Sequence, residues 1–215
     1  MGLLILFLLT SSQFPVGWFE YEIIDWIAMK RYLIFLFSLF LMGKAISQEV
    51  VRVGDRVPLF AAVSDEDKVW SLKDYLGKKN VVLYFYPAAM TGGCTSQACG
   101  YRDHQCELKD LDAIVIGISG DDVASLQIFK KAKNLNFTLL SDDDGAVARL
   151  FGVPVSAGGQ ISRMVEGMDV VLNRGVTAQR WTFIIGKDGR IKYINQQVDA
   201  ASDYKTVMEV LAKTK

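Results

Sequence analysis

Two kinds of hydrophobic pattern meet near residue 47 of this chain. Upstream, apolar residues come in unbroken runs, Leu3–Leu9 and Tyr32–Gly43. Downstream, short apolar runs alternate with segments of helical spacing, punctuated by glycine, proline and aspartate. Val81–Tyr86 (VVLYFY) and Ala113–Ser119 (AIVIGIS) read as strands buried on both faces. Pro87, with no N–H to give a ladder, stops the first. Pro58–Val63 and Phe137–Leu140 predict two shorter strands, and Trp70–Leu76 a short helical turn. Trp181–Ile185 and Ile191–Ile194 flank Lys-Asp-Gly-Arg, a hairpin signal centred on Asp188-Gly189. Helical spacing runs from Thr95 to about Asp110, with Ala98, Tyr101 and Leu108 inward. A further helix, capped by Asp121 or Asp122, carries Leu126, Phe129 and Ala132; Ala146–Phe151 and Tyr204–Lys213 supply two more. The glycine-punctuated stretch Ala157–Thr177 has no legible period. Strands alternating with helices, then a terminal hairpin and helix, predict an α/β fold with a mixed central sheet.

Composition changes this picture mainly at the N-terminus. From Met29, a positive start (Lys30, Arg31) precedes the apolar run and then the small residues Ala45 and Ser47. This is the layout of a secretory signal peptide over residues 29–47, with cleavage expected after Ser47. The run is shorter than the roughly 18 residues of a spanning helix, so an uncleaved membrane anchor is the second choice. A signal peptide normally begins a chain, so residues 1–28 read as a mis-called upstream extension. The expected domain is then residues 48–215, exported to the periplasm or anchored facing it. With 24 basic and 24 acidic side chains, no global field points to nucleic acid. Three cysteines are too few for a disulfide-stapled scaffold and leave at least one thiol free for chemistry.

The chemistry concentrates in Pro87-Ala-Ala-Met-Thr91-Gly-Gly-Cys94-Thr-Ser-Gln-Ala-Cys99, which follows a buried strand and opens a helix. In an open α/β sheet, ligands bind in the crevice beyond the carboxyl ends of strands. Helix N-terminal amides favour an anion at Cys94. Gly92 and Gly93 leave room for a small substrate, and the Thr91 hydroxyl is placed to donate to the thiolate or to a bound oxygen. On residues alone, an inert buried thiol remains an equal alternative.

Pro87-x-x-x-Thr91-x-x-Cys94 matches the signature of peroxiredoxins, and the wider string VVLYFYP…TGGCTSQACGYRD resembles the bacterioferritin-comigratory, or peroxiredoxin Q, group across roughly residues 50–215. The resemblance implies a thioredoxin-like fold and reduction of hydrogen peroxide or organic hydroperoxides. It implies Cys94 as the peroxidatic cysteine, Thr91 positioning the peroxide, Pro87 shielding the thiolate, and Arg180, just before Trp181–Ile185, holding the thiolate and polarising the O–O bond. It places the resolving cysteine at Cys99, as in an atypical two-cysteine enzyme, with a thioredoxin-like reductant and no cofactor. A monomer or weak dimer is expected. The group often has proline where Gly92 stands and an acid where Gln97 stands.

Five helical residues rise about 7.5 Å, which separates the Cα atoms of Cys94 and Cys99 beyond the ~7 Å reach of a disulfide. Such a bond therefore needs the helix to unravel, and Gly100 should ease that. Cys106 reads as structural filler and His104, the one histidine, as a solvated side chain. No metal is implied: the cysteine spacing is not that of a zinc site. The acidic run Asp142–Asp144 reads as a solvated turn, and Arg102 with Asp103 as an ion pair. Two competing functions are an exported thiol–disulfide oxidoreductase, which would want Cys-x-x-Cys where residue 97 is glutamine, and a non-enzymatic redox sensor.

Overall fold

The computed structural model divides into two units, Met1–Ser47 and Gln48–Lys215. It describes residues 29–32, which are helical, and residues 51–214. The expected upstream extension and most of the expected leader lie outside the described residues. Among the described residues, no helix is long and apolar enough to cross a membrane.

The second unit is built on β3 (Asn80–Phe85), every residue of which after Asn80 is buried. Its period of two sorts the side chains into two cores. Val82 and Tyr84, with Tyr86 beyond the strand, enter one cluster with Ala98, Tyr101, Leu126, Phe129, Val207 and Leu211. Val81, Leu83 and Phe85 enter the other, with Ile116, Ile118, Phe151, Phe183 and Ile185. This is why the run VVLYFY carries no polar face.

Around β3 the sheet has the order β2-β1-β5-β4-β3-β8-β9. The strands are β1 (Ala61–Ser64), β2 (Val69–Ser71), β4 (Ala113–Ser119), β5 (Thr138–Ser141), β8 (Trp181–Ile185) and β9 (Ile191–Asn195). β3 pairs parallel to β4 and antiparallel to β8, so the sheet is mixed, as the pattern predicted. Trp70 and Ser71 belong to β2, and only Leu72–Asp74 form the short helical turn, so the expected Trp70–Leu76 turn begins later. Trp70 is drawn into the strand because its ring buries against Phe60 and stacks on Tyr75.

The helices are α1 (Gly92–Asp103), α2 (Gln105–Asp110), α3 (Val123–Lys133), α4 (Ala146–Leu150) and α5 (Asp203–Lys213). The single helix expected over Thr95–Asp110 is broken at His104, whose backbone leaves helical geometry. Asp122 is the cap of α3, its Oδ1 accepting the Ser125 N–H at 2.7 Å. Within the acidic run, Asp143 and Asp144 are exposed in a turn as expected, but Asp142 is not solvated. Asp142 is buried, and its two oxygens accept the Val147 and Ala148 N–H groups at 2.8 Å each, which fastens the start of α4.

The stretch without a legible period is a long hairpin, β6 (Val155–Val165) and β7 (Met168–Ala178), turning at Glu166 and Gly167, both at positive φ. Two of its glycines answer to backbone approach: a Cβ on Gly175 would meet the Asp143 carbonyl oxygen at 2.1 Å, and one on Gly158 the Arg174 oxygen at 2.0 Å. The Gly175 N–H donates to the Gly120 oxygen at 2.9 Å, tying the hairpin to the end of β4.

Gly100 plays a different part from the expected weak point. A Cβ there would lie 2.7 Å from Tyr204 Cδ1, so its missing side chain lets α5 pack on α1. Gly100→Ala should therefore cost about 1–3 kcal/mol of overpacking, more than the ~1 kcal/mol alanine gains within a helix. Gly92→Ala, whose added methyl meets nothing within 4 Å, should stay within about 0.5 kcal/mol. Urea unfolding of both variants checks the contrast.

Candidate active site

β3 ends at Phe85, and the chain turns through Pro87–Thr91 into α1, so Cys94 stands in the first helical turn beyond the strand's carboxyl end. β8 runs antiparallel beside β3 with Trp181 opposite Phe85. The residue before β8 therefore arrives at the same end of the sheet as Cys94. That residue is Arg180, and its Nη2 donates to Cys94 Sγ at 3.2 Å. Gly93 makes room for this: a Cβ there would sit 3.3 Å from the same nitrogen. Gly92, by contrast, has open space around it.

Cys94 is fully buried, within the cluster that contains Tyr84, Tyr86 and Tyr101. Tyr84 stacks between the other two, at centroid distances of 5.5 Å and 5.1 Å. Burial pushes all three phenols well above their ordinary pKa. These rings stay neutral at any physiological pH and line the sulfur with an apolar floor. In such surroundings an anionic sulfur needs a fixed positive partner, and the guanidinium supplies it.

Arg180 is itself held. Its Nη1 donates to Gln97 Oε1 at 2.6 Å, while Gln97 Nε2 donates to Asp203 Oδ2 at 2.7 Å. The same carboxylate oxygen accepts from Tyr101 Oη at 2.6 Å and Thr182 Oγ1 at 2.8 Å. Gln97, Thr182 and Asp203 are all buried. Gln97, Tyr101, Thr182 and Asp203 are the members that sequence reasoning did not assign to the site. Gln97 and Tyr101 lie four apart on one helix face, a usable hint. Asp203 opens the last helix and looks there like any acid in a first turn.

The loop carrying Thr91 is fixed from β4. Asp121 is buried, and its Oδ2 accepts the Ala89 N–H at 2.8 Å and the Ser119 hydroxyl at 2.7 Å. Thr91 Oγ1 donates to the Ala88 carbonyl at 2.9 Å. Donation to the thiolate or to a bound oxygen is the expectation; in this structure the proton goes to Ala88, and a lone pair remains for an incoming O–H. Pro87, at the end of β3, is half-buried at the head of this loop.

All three cysteines are free thiols. Cys94 and Cys99 share the continuous helix α1, with Cys99 half-buried. Cys106 is exposed on α2 and fills no core, because the break at His104 turns it away. His104 is not a solvated side chain. It is half-buried, Nδ1 lies 2.9 Å from the Gly100 carbonyl, and the ring stacks on Tyr204 at 4.1 Å. Arg102 pairs with Asp103 at 2.8 Å and donates to the Lys133 carbonyl at 2.6 Å.

A buried thiol at a strand-to-helix turn, bonded to a braced guanidinium, defines the class of a thiol-based redox enzyme on an α/β scaffold. The chain matches the AhpC/TSA family model over residues 53–194 and belongs to that family. It is 37% identical to peroxiredoxin Bcp of Escherichia coli K12 over 161 residues, 75% of this chain and 96% of the relative. It is 39% identical to chloroplastic peroxiredoxin Q of Oryza sativa subsp. japonica over 144 residues, 67% of this chain and 58% of the relative. The crystal structure of peroxidoxin BcpB from Mycobacterium tuberculosis superposes with a TM-score of 0.64 at 30% identity, covering 77% of this chain and 99% of that one. The protein is a peroxiredoxin of the Bcp/Q type with the thioredoxin-like fold, a thiol-dependent peroxidase that reduces hydroperoxides.

Asp121 carries a pH dependence whose sign follows from its burial. Desolvation raises its pKa above the ordinary value, outweighing the lowering hydrogen bonds from Ser119 and Ala89. The folded state then binds this proton more tightly than the unfolded chain, so the contribution of Asp121 to stability falls as pH rises from the ordinary carboxyl value through the raised one. Asp121→Asn lacks that loss. Its stability relative to wild type should climb across this window and level off above it, as measured by urea unfolding at stepped pH.

Proposed function

We propose that Cys94 is the peroxidatic cysteine and Cys99 its resolving partner. The 3.2 Å contact between Arg180 Nη2 and Cys94 Sγ carries this reading. The thiolate of Cys94 attacks one oxygen of the hydroperoxide, the O–O bond breaks, and the departing alkoxide or hydroxide takes up a proton. Arg180 faces both the sulfur and the charge developing on oxygen, the arrangement that stabilises such a transition state. The Thr91 oxygen accepts from the peroxide O–H, and Gly92, with open space around it, adds no side chain to the approach. Pro87 shields the thiolate from the side of β3. The sulfenic acid left on Cys94 then condenses with the Cys99 thiol, forming the disulfide and releasing water. A thioredoxin-like dithiol returns both cysteines to the reduced state.

Helix geometry constrains the second step. Cys94 and Cys99 lie five residues apart in α1, about 7.5 Å along its axis, so α1 must open before the sulfurs meet. One equivalent of hydrogen peroxide should yield a disulfide between Cys94 and Cys99 by mass spectrometry. Dimers linked only through Cys94 would sink this assignment. Cys94→Ser should reduce peroxide consumption to the uncatalysed level. Cys99→Ser should still lose one thiol per peroxide while its steady turnover with a dithiol falls about tenfold or more.

We further propose that residues 29–47 are a signal peptide, which delivers Gln48–Lys215 to the periplasm. The positive start, apolar run and small residues before Gln48 support this. Expressed from its natural start in a Gram-negative host, the protein should appear in the periplasmic fraction with Gln48 as its N-terminus. A membrane-bound product retaining residues 29–47 would support the anchor instead.

A further inference from the structure

We infer that Asp203 is a positioning residue for the oxidation of Cys94, acting on Arg180 through the side-chain amide of Gln97. The inference rests on the reading of Cys94 as the peroxide-reducing thiol and extends it to a residue that touches neither sulfur nor substrate.

An amide between a guanidinium and a carboxylate has one good orientation. Its oxygen must face the cation and its nitrogen the anion. Gln97 adopts that orientation, accepting from Arg180 Nη1 at 2.6 Å and donating to Asp203 Oδ2 at 2.7 Å. Turned over, the amide would point N–H groups at the guanidinium and release it. The carboxylate therefore fixes which way Gln97 faces, and Gln97 in turn fixes the guanidinium whose other nitrogen meets the sulfur.

Asp203 is suited to this because it cannot move freely. It is 2% exposed, and the same oxygen is gripped by Tyr101 from α1 and Thr182 from β8. Among the described residues, its other oxygen, Oδ1, has no hydrogen-bond partner. A buried carboxylate satisfied on one side only is costly if its purpose is merely to tie α5 to the sheet. All three of its hydrogen bonds go to one oxygen, and one of those donors, Gln97, leads to Arg180.

A double-mutant cycle separates positioning from a structural tie. The rate constant for oxidation of Cys94 by hydrogen peroxide is measured by stopped flow in the full chain, for Asp203→Ala, Gln97→Met and the double variant, with melting temperatures alongside. Asp203→Ala should slow oxidation about tenfold in the wild-type background and have almost no effect once Gln97 is methionine. Its melting temperature should fall in both backgrounds, because the bonds to Tyr101 and Thr182 are lost in either. Asp203→Asn, which retains an acceptor oxygen, should recover part of the rate and keeps the test available if the alanine variant folds poorly. A wild-type oxidation rate in Asp203→Ala would overturn the inference. So would the same slowing with and without Gln97. If either occurs while Cys94→Ser is inactive, the peroxidase reading stands and only the role of Asp203 falls.

Discussion

The contact between Arg180 and Cys94 is the constraint around which the domain is arranged. It depends on β8 lying antiparallel beside β3 with Trp181 opposite Phe85, so that one strand ends and the other begins at the same edge of the sheet. The sulfur sits on an apolar floor of tyrosine rings that cannot ionise there. Such a site disfavours charge unless a counter-charge is fixed nearby. An arginine on a mobile stem would lose rotamer freedom each time it met the sulfur. The bond to Gln97 removes that freedom in advance, and the absence of a side chain at Gly93 lets the guanidinium approach.

The same helix has a second duty that conflicts with the first. α1 holds Cys94 against Arg180, yet the disulfide proposed above requires it to open for Cys99 to reach Cys94. Its C-terminal half is fastened by several modest contacts. Tyr101 bonds to Asp203, Gly100 seats Tyr204, His104 stacks on that ring, and Arg102 reaches the Lys133 carbonyl. Each hydrogen bond is worth about 1 kcal/mol net, so local opening lies within the range of sub-global fluctuations. Cys99 lies between the Gln97 and Tyr101 fastenings. Any opening that frees it must draw on the grip of α5, so the proposed resolving step is tied to a helix that supplies none of its chemistry.

The strands that carry the site were legible because they are buried on both faces or end at a plain hairpin. Val81–Tyr86, Ala113–Ser119 and Trp181–Ile185 keep their predicted places to within a residue. The β6–β7 hairpin was not legible, because long stretches of it are exposed on both faces and its glycines mark close backbone approach, which leaves no period. The break at His104 was hidden for a similar reason: its imidazole meets the Gly100 carbonyl and the Tyr204 ring, groups far apart in sequence. Cys94 and Thr91 were named from a motif and Arg180 from a resemblance that puts an arginine just before Trp181–Ile185; the structure brings Arg180 and Cys94 together. Asp203 was not named, because its meaning lies in three donors far away in sequence.

Gln97 shows why such distant pairs are coupled. An acid at this position would accept from Arg180 as the glutamine does. In this chain an acid at 97 would face the Asp203 carboxylate across a hydrogen-bond distance. Two carboxylates so close cannot both be ionised, so one would have to keep its proton. The amide avoids that conflict by accepting on one side and donating on the other. It leaves one carboxylate beneath the guanidinium and moves it one link farther from the sulfur. An anion at that distance repels a thiolate less than one in direct contact with Arg180, while still anchoring the chain of bonds that holds the arginine. Glutamine at 97 and aspartate at 203 therefore make sense only together, and each sets the terms on which the other could change.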